Sequence, residues 1–150
     1  MKEATLWEHL KPGLKKLGKF QKVCDRFTPG IPDILGCGNG IPYALELKEL
    51  KGVQLLKAHF RPGQIDWLKD WVASGGVGLV VTSHGSQVMV FSPASAIHLE
   101  EGVSYTWAAK ASMASFLKTR NNKWSDFVVC LRSISHEQIQ RADQRASKSG

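Results

Sequence analysis

The stretch Ile41-Pro42-Tyr43-Ala44-Leu45-Glu46-Leu47-Lys48 narrows the choice of fold more than any other part of the chain. In an extended strand, residues i and i+2 project to the same face. Leu45 and Leu47 therefore point together into a core, while Glu46 and Lys48 point together the other way. An acid and a base side by side on an otherwise apolar strand are expensive to bury for structure alone. The strand thus has to be accounted for by chemistry as well as by packing.

A partner for Glu46 lies just upstream. Pro29-Gly30-Ile31-Pro32-Asp33 leads into a short strand expected over Ile31 to Leu35. Gly36 to Gly40 then makes a tight connection in which Asn39-Gly40 is a strong hairpin signal. Antiparallel pairing across that hairpin sets the Asp33 carboxylate beside that of Glu46. Two carboxylates so close repel unless a cation lies between them. A hard divalent ion, Mg²⁺ or Mn²⁺, suits a cluster that no His or Cys joins, and the Leu47 carbonyl offers a backbone ligand. Such an ion polarises a phosphoryl oxygen and acidifies a bound water, with Lys48 placed to orient that water or to neutralise transition-state charge. These parts suffice to hydrolyse a phosphodiester. Acid-x-lysine triplets are also common on solvated strands, so the weight rests on the surrounding pattern.

That pattern is one of mixed elements. Glu3 to Leu10 reads as a helix with Leu6, Trp7 and Leu10 on one face, interrupted by Pro12-Gly13 and resuming briefly to Gly18. Phe20 to Phe27 reads as a strand. Gly63 to Ser74 is helical, with Ile65, Leu68 and Val72 on one face and Gly75-Gly76 ending it. Val77 to Thr82 and Gln87 to Phe91 are strands on either side of a turn. Further on, the expectations are a helix over Trp107 to Leu117 and a strand over Phe127 to Leu131. Ser135-His136-Glu137-Gln138 reads as a capping box opening a last helix. The order describes an α/β domain with a mixed sheet flanked by helices.

Charge adds a direction. The 150 residues carry 20 Lys+Arg against 13 Asp+Glu, a net of +7. Residues 1–30 hold seven basic and three acidic side chains, and residues 110–150 hold eight and three, while the middle of the chain is nearly balanced. Basic flanks around a central pair of acids suit a polyanion gripped at both sides of a reactive site. Lys11, Lys15, Lys16, Lys19, Lys22, Arg26 and Arg61 are the first candidates for phosphate contacts, and Lys118, Arg120 and Lys123 a second set. A 43% hydrophobic share excludes a wholly disordered basic tail. No stretch approaches the ~20 apolar residues of a membrane span. The charged first ten residues do not read as a signal peptide, and the three cysteines are scattered. The expectation is a cytoplasmic protein with reduced thiols.

On Pro32-Asp33 and Glu46-Leu47-Lys48 the chain resembles the PD-(D/E)xK nuclease superfamily. The stretch from about Gly30 to Phe91 is similar to archaeal Holliday junction resolvases and to small phage-type VRR-NUC nucleases. The resemblance implies a restriction-endonuclease-like core over about residues 3–91 and one nuclease domain over residues 1–150, with 92–150 a C-terminal extension that matches nothing. It also implies Mg²⁺-dependent cleavage of DNA, often by a homodimer on branched substrates. Gln64 matches the glutamine that such nucleases carry on the helix after the motif strand. The spacer from Glu49 to Gly63 is longer than in compact relatives and has room to reach over a substrate. Glu3 has the phasing of the acid supplied by the first helix. Glu8 competes for that role, although Thr5 to Glu8 also reads as a capping box. His59 is the one histidine with a chance of nearing the site. The leading reading is a Holliday junction resolvase. A nuclease for flaps, nicked or foreign duplex DNA, or a non-catalytic DNA-binding module, remains as an alternative.

Overall fold

In the computed structural model, residues 2–24, 27–117 and 124–149 are described. The first helix, α1 (Glu3–Leu17), runs unbroken through Pro12. Leu6, Trp7, Leu10, Leu14 and Leu17 form one buried stripe, and Pro12 lies on the exposed side. Burial of that stripe outweighs the single backbone hydrogen bond that proline removes, so the interruption expected there does not occur. Because α1 already begins after Lys2, Thr5 lies inside it and the capping box expected at Thr5–Glu8 does not form.

Six strands follow in one sheet: β1 (Lys19–Lys22), β2 (Ile34–Gly38), β3 (Ile41–Glu49), β4 (Val77–His84), β5 (Gln87–Phe91) and β6 (Ala114–Leu117). Their spatial order equals their chain order, with β3 and β4 parallel and every other neighbouring pair antiparallel. The parallel pair requires a crossover, and α2 (Gln64–Ala73) supplies it. Asn39 and Gly40 make the β2–β3 turn with φ of 53° and 77°, the left-handed pair that a two-residue hairpin demands.

The sheet carries a core on each face. Leu45, Leu47, Leu79, Val81, Val88 and Val90 pack with α1 and with Phe127 and Leu131 of α5 (Trp124–Ser133). On the other face, Ala44, Val80, Met89 and Phe91 pack with Leu56, Phe60 and α2. Glu46 and Lys48 belong to this second face, as the strand alternation requires.

Four expectations are corrected. β1 is only four residues long, and β2 begins at Ile34, so Asp33 stands just outside the ladder. The helix expected over Trp107 to Leu117 is α4 (Tyr105–Ala111) followed by β6. β5 would otherwise be an unpaired edge, and β6 pairs with it from Val90↔Ala114 to Gln87↔Leu117. The strand expected over Phe127 to Leu131 is helical. Phe127, Val128 and Leu131 are buried while Val129 is 62% exposed, a helical period that a short apolar run does not reveal. The last helix, α6 (His136–Ser149), opens on the expected capping box. Ser135 N–H donates to Gln138 Oε1 at 2.9 Å and Gln138 N–H to Ser135 Oγ at 3.2 Å. A short α3 (Pro93–Ala96) and a 3-10 turn (Ile97–Leu99) complete the described elements. No helix among the described residues is long and apolar enough to cross a membrane.

Candidate active site

Two glycines bring the parts of the site together. Gly30 has φ of 82° and Gly63 of 87°, and a Cβ on Gly30 would lie 2.5 Å from the Gly63 carbonyl oxygen. The loop leading to Asp33 therefore lies backbone against backbone on the turn that starts α2. Gln64, the first residue of that helix, is delivered to the polar face of β3.

There Gln64 joins Glu46 to Lys48. Its Nε2 donates to Glu46 Oε1 at 3.0 Å. Its Oε1 accepts from Lys48 Nζ at 3.0 Å and from the Arg61 N–H at 2.8 Å. Lys48 Nζ lies 3.6 Å from Glu46 Oε1 and 5.1 Å from the centre of the Phe60 ring, a cation–π distance. Glu46, Lys48 and Gln64 are all buried.

The register places the second acid. Ile34 is opposite Leu45, so Asp33 follows opposite Glu46. Its Oδ2 accepts the Leu47 N–H at 2.8 Å. A strand residue's N–H and C=O point to the same side, so the Leu47 carbonyl also faces Asp33. Glu46 Oε2 is buried without a protein donor. The neighbouring Asp33 carboxyl can bond to it only if one of the two is protonated. Burial first, and then the Asp33 charge, push the Glu46 carboxyl up to about 9.

Glu3, in the first turn of α1, stands at the rim. Its side chain is exposed, yet enough protein surrounds the carboxylate that burial raises its pKa. Asp33 and Glu49 push the same way, while Lys48 and Arg61 oppose them. Glu8 is exposed further along α1. The helix acid whose field reaches Asp33, Glu46 and Lys48 is Glu3.

The structure thus gathers Asp33, Glu46, Lys48, Gln64 and Glu3, with Arg61 exposed beside them. Lys11, Lys15, Lys16, Lys19 and Lys22 are exposed on α1 and β1. Arg26, Lys118, Arg120 and Lys123 lie outside the described residues. His59 stays away from the cluster, pairing with Glu100 Oε1 at 3.1 Å, while Glu100 Oε2 accepts the Phe60 N–H at 2.8 Å. Phe60 is the site residue that the sequence did not flag. An aromatic four residues before Gln64, within the long spacer, is the signal the sequence offers for it. That spacer is folded back on itself by a Lys51–Lys57 bridge.

The donor set fits a hard divalent cation. Asp33, Glu46 and the Leu47 carbonyl offer oxygen alone, and the orphaned Glu46 Oε2 is the atom that lacks a positive partner. No group of three or more His, Cys, Asp or Glu side chains forms a metal cluster among the described residues. Such an ion would rest on two carboxylates and a backbone carbonyl.

With a mixed sheet, a parallel central pair and helices on both faces, the chain has an α/β fold of the restriction-endonuclease-like type. Among solved structures, it is similar to that of Hjc, a Holliday junction resolvase from the archaeal hyperthermophile Archaeoglobus fulgidus. The TM-score is 0.51 at 16% identity, over 72% of this chain and 89% of that one. No family model and no curated protein matches the sequence.

Proposed function

We propose that the protein is a metal-dependent endonuclease that hydrolyses phosphodiester bonds in branched DNA, with a four-way Holliday junction as its leading substrate. The observation that carries this reading is Glu46: a buried carboxylate with one unpartnered oxygen, set against Asp33, on the same strand face as a buried lysine. A non-catalytic binding module gains nothing from two acids that repel phosphate. The fold shared with an archaeal resolvase supports the substrate class.

Asp33, Glu46 and the Leu47 carbonyl would hold Mg²⁺ or Mn²⁺, which supplies a Lewis acid for a phosphoryl oxygen and a source of hydroxide. Gln64 fixes Lys48 and Glu46 relative to each other by accepting from one and donating to the other. Lys48 directs its ammonium toward the attacking oxygen or the phosphoryl charge, held by Gln64 and the Phe60 ring rather than by a flexible stem. Glu3 and Arg61 frame the approach, the first orienting water and the second meeting the phosphate backbone. Lys15, Lys16, Lys19 and Lys22 add contacts that position DNA without reading its sequence. Symmetrical cutting of a junction needs two such sites, which a twofold homodimer provides.

The test uses labelled four-way junction, flap and linear duplex, each with Mg²⁺, Mn²⁺ or EDTA, for the wild type, Glu46→Gln and Lys48→Ala. Metal-dependent junction cleavage that both substitutions abolish is the expected result. No cleavage of any substrate with either metal refutes the enzyme. Equal cutting of linear duplex and junction refutes the resolvase while retaining the nuclease.

A further inference from the structure

Away from the acid cluster, α4 and the α5–α6 pair line a separate cleft. It has a volume of about 820 Å³ and shares no residue with the acid cluster. Trp107 of α4 lies in its wall, half-buried, with the His98 ring meeting it edge-on at 5.4 Å between centroids. Lys110, Arg141 and Arg145 converge on the same space from two helices. None of the described residues that line it is Asp or Glu. Arg141 is oriented by an i,i+4 ion pair with Glu137, and both side chains remain mostly exposed. Asp143, on the same helix as Arg141 and Arg145, accepts the Ala94 N–H at 3.1 Å.

A flat aromatic ring beside three cations, with no Asp or Glu among the described residues of the lining, is the chemistry that binds an unpaired nucleotide. The base stacks, and the phosphates meet the cations. The volume falls in the range of pockets that enclose a small molecule. It admits one or two nucleotides and is too small for a double helix. The basic character of residues 110–150 acquires a role here, distinct from that of the lysines on α1 and β1.

We propose that this cleft is a second nucleic-acid site, one that takes a single-stranded segment of DNA with a base against Trp107 and phosphates on Lys110, Arg141 and Arg145. The inference rests on reading the chain as a protein that acts on DNA. It does not depend on the chemistry at Glu46. Unpaired nucleotides occur where a branched substrate opens, so the cleft would favour substrates with single-stranded character over fully paired ones.

The experiment measures binding of the full-length chain to fluorescent oligothymidylate in EDTA. An abasic strand and a hairpin duplex of equal length serve as controls, over a range of salt. Lys110→Gln combined with Arg145→Gln changes exposed side chains only and should weaken both single strands and lower the salt slope by about 1. Trp107→Ala should weaken oligothymidylate about tenfold or more while sparing the abasic strand, and Trp107→Phe should retain most of the affinity. Unchanged single-strand binding in the charge variant overturns the proposal, as does equal loss for the base-bearing and abasic strands on replacing Trp107. Duplex binding that responds to these variants as the single strand does also overturns it. A chain that cleaves junctions without this dependence refutes the cleft alone. One that binds through Trp107 but cuts nothing refutes the nuclease alone.

Discussion

Replacing Glu46 by Gln should remove a pH dependence from the stability of the metal-free protein. The Glu46 carboxyl rises from 4.5 to about 9 on folding, chiefly through burial and then through Asp33. Between those values the folded chain holds a proton that the unfolded chain has released, so stability is full in acid and is lost as pH rises through the folded value. The slope from this one group is about 1.4 kcal/mol per pH unit, or about 3 kcal/mol between roughly pH 5.5 and 8. Glutamine is isosteric, still accepts from Gln64 Nε2, and presents an amide donor to Asp33 where the wild type has the orphaned Oε2. The variant should match the wild type in acid and exceed it in mild alkali, so that loss of the central acid is a gain in stability. Urea midpoints at several pH values in EDTA, read at a common m-value, give the comparison. Midpoints that fall in parallel for the two proteins would refute the protonated, buried Glu46 on which the site's electrostatics rest.

Three further outcomes follow from other parts of the molecule. Gly30→Ala places a Cβ 2.5 Å from the Gly63 carbonyl at a left-handed φ, and should cost about 1–3 kcal/mol in denaturant unfolding and lower cleavage by displacing Asp33 from Glu46. Phe127→Ala empties a fully buried position between α5 and the sheet; a loss of about 3–5 kcal/mol is expected, and a loss below 1 kcal/mol would deny α5 its place in the core. Combined Lys15→Ala and Lys16→Ala should leave folding intact and lower the salt slope of junction binding by about 1–2, measured by titration at several ionic strengths.

The site was more legible than the C-terminal third. Glu46 and Lys48 share a face because strand alternation has a period of two, and Asn39-Gly40 fixes the register that puts Asp33 opposite Glu46. Both signals are local, so short-range reasoning reaches them. Pro12 misled because a local helix breaker was overruled by five buried side chains on the same helix. Phe127 to Leu131 and Ala114 to Leu117 were exchanged in type because each is short. What decides them is distant: an edge strand in need of a partner for one, and the face of the sheet left for α5 to cover for the other. Phe60 escaped notice for a related reason, since only the folded spacer brings its ring to Lys48.

The edge of the sheet at β1 has a bearing on assembly. This strand is four residues long, with Lys19 and Lys22 exposed on it. Pairing two copies edge to edge across a twofold axis would bring lysines of one copy against those of the other, which is unfavourable in a ladder. Two protomers are thereby discouraged from extending one continuous sheet at this side. A symmetrical pair would then be built from another surface, leaving the lysine-bearing edge open to a polyanion.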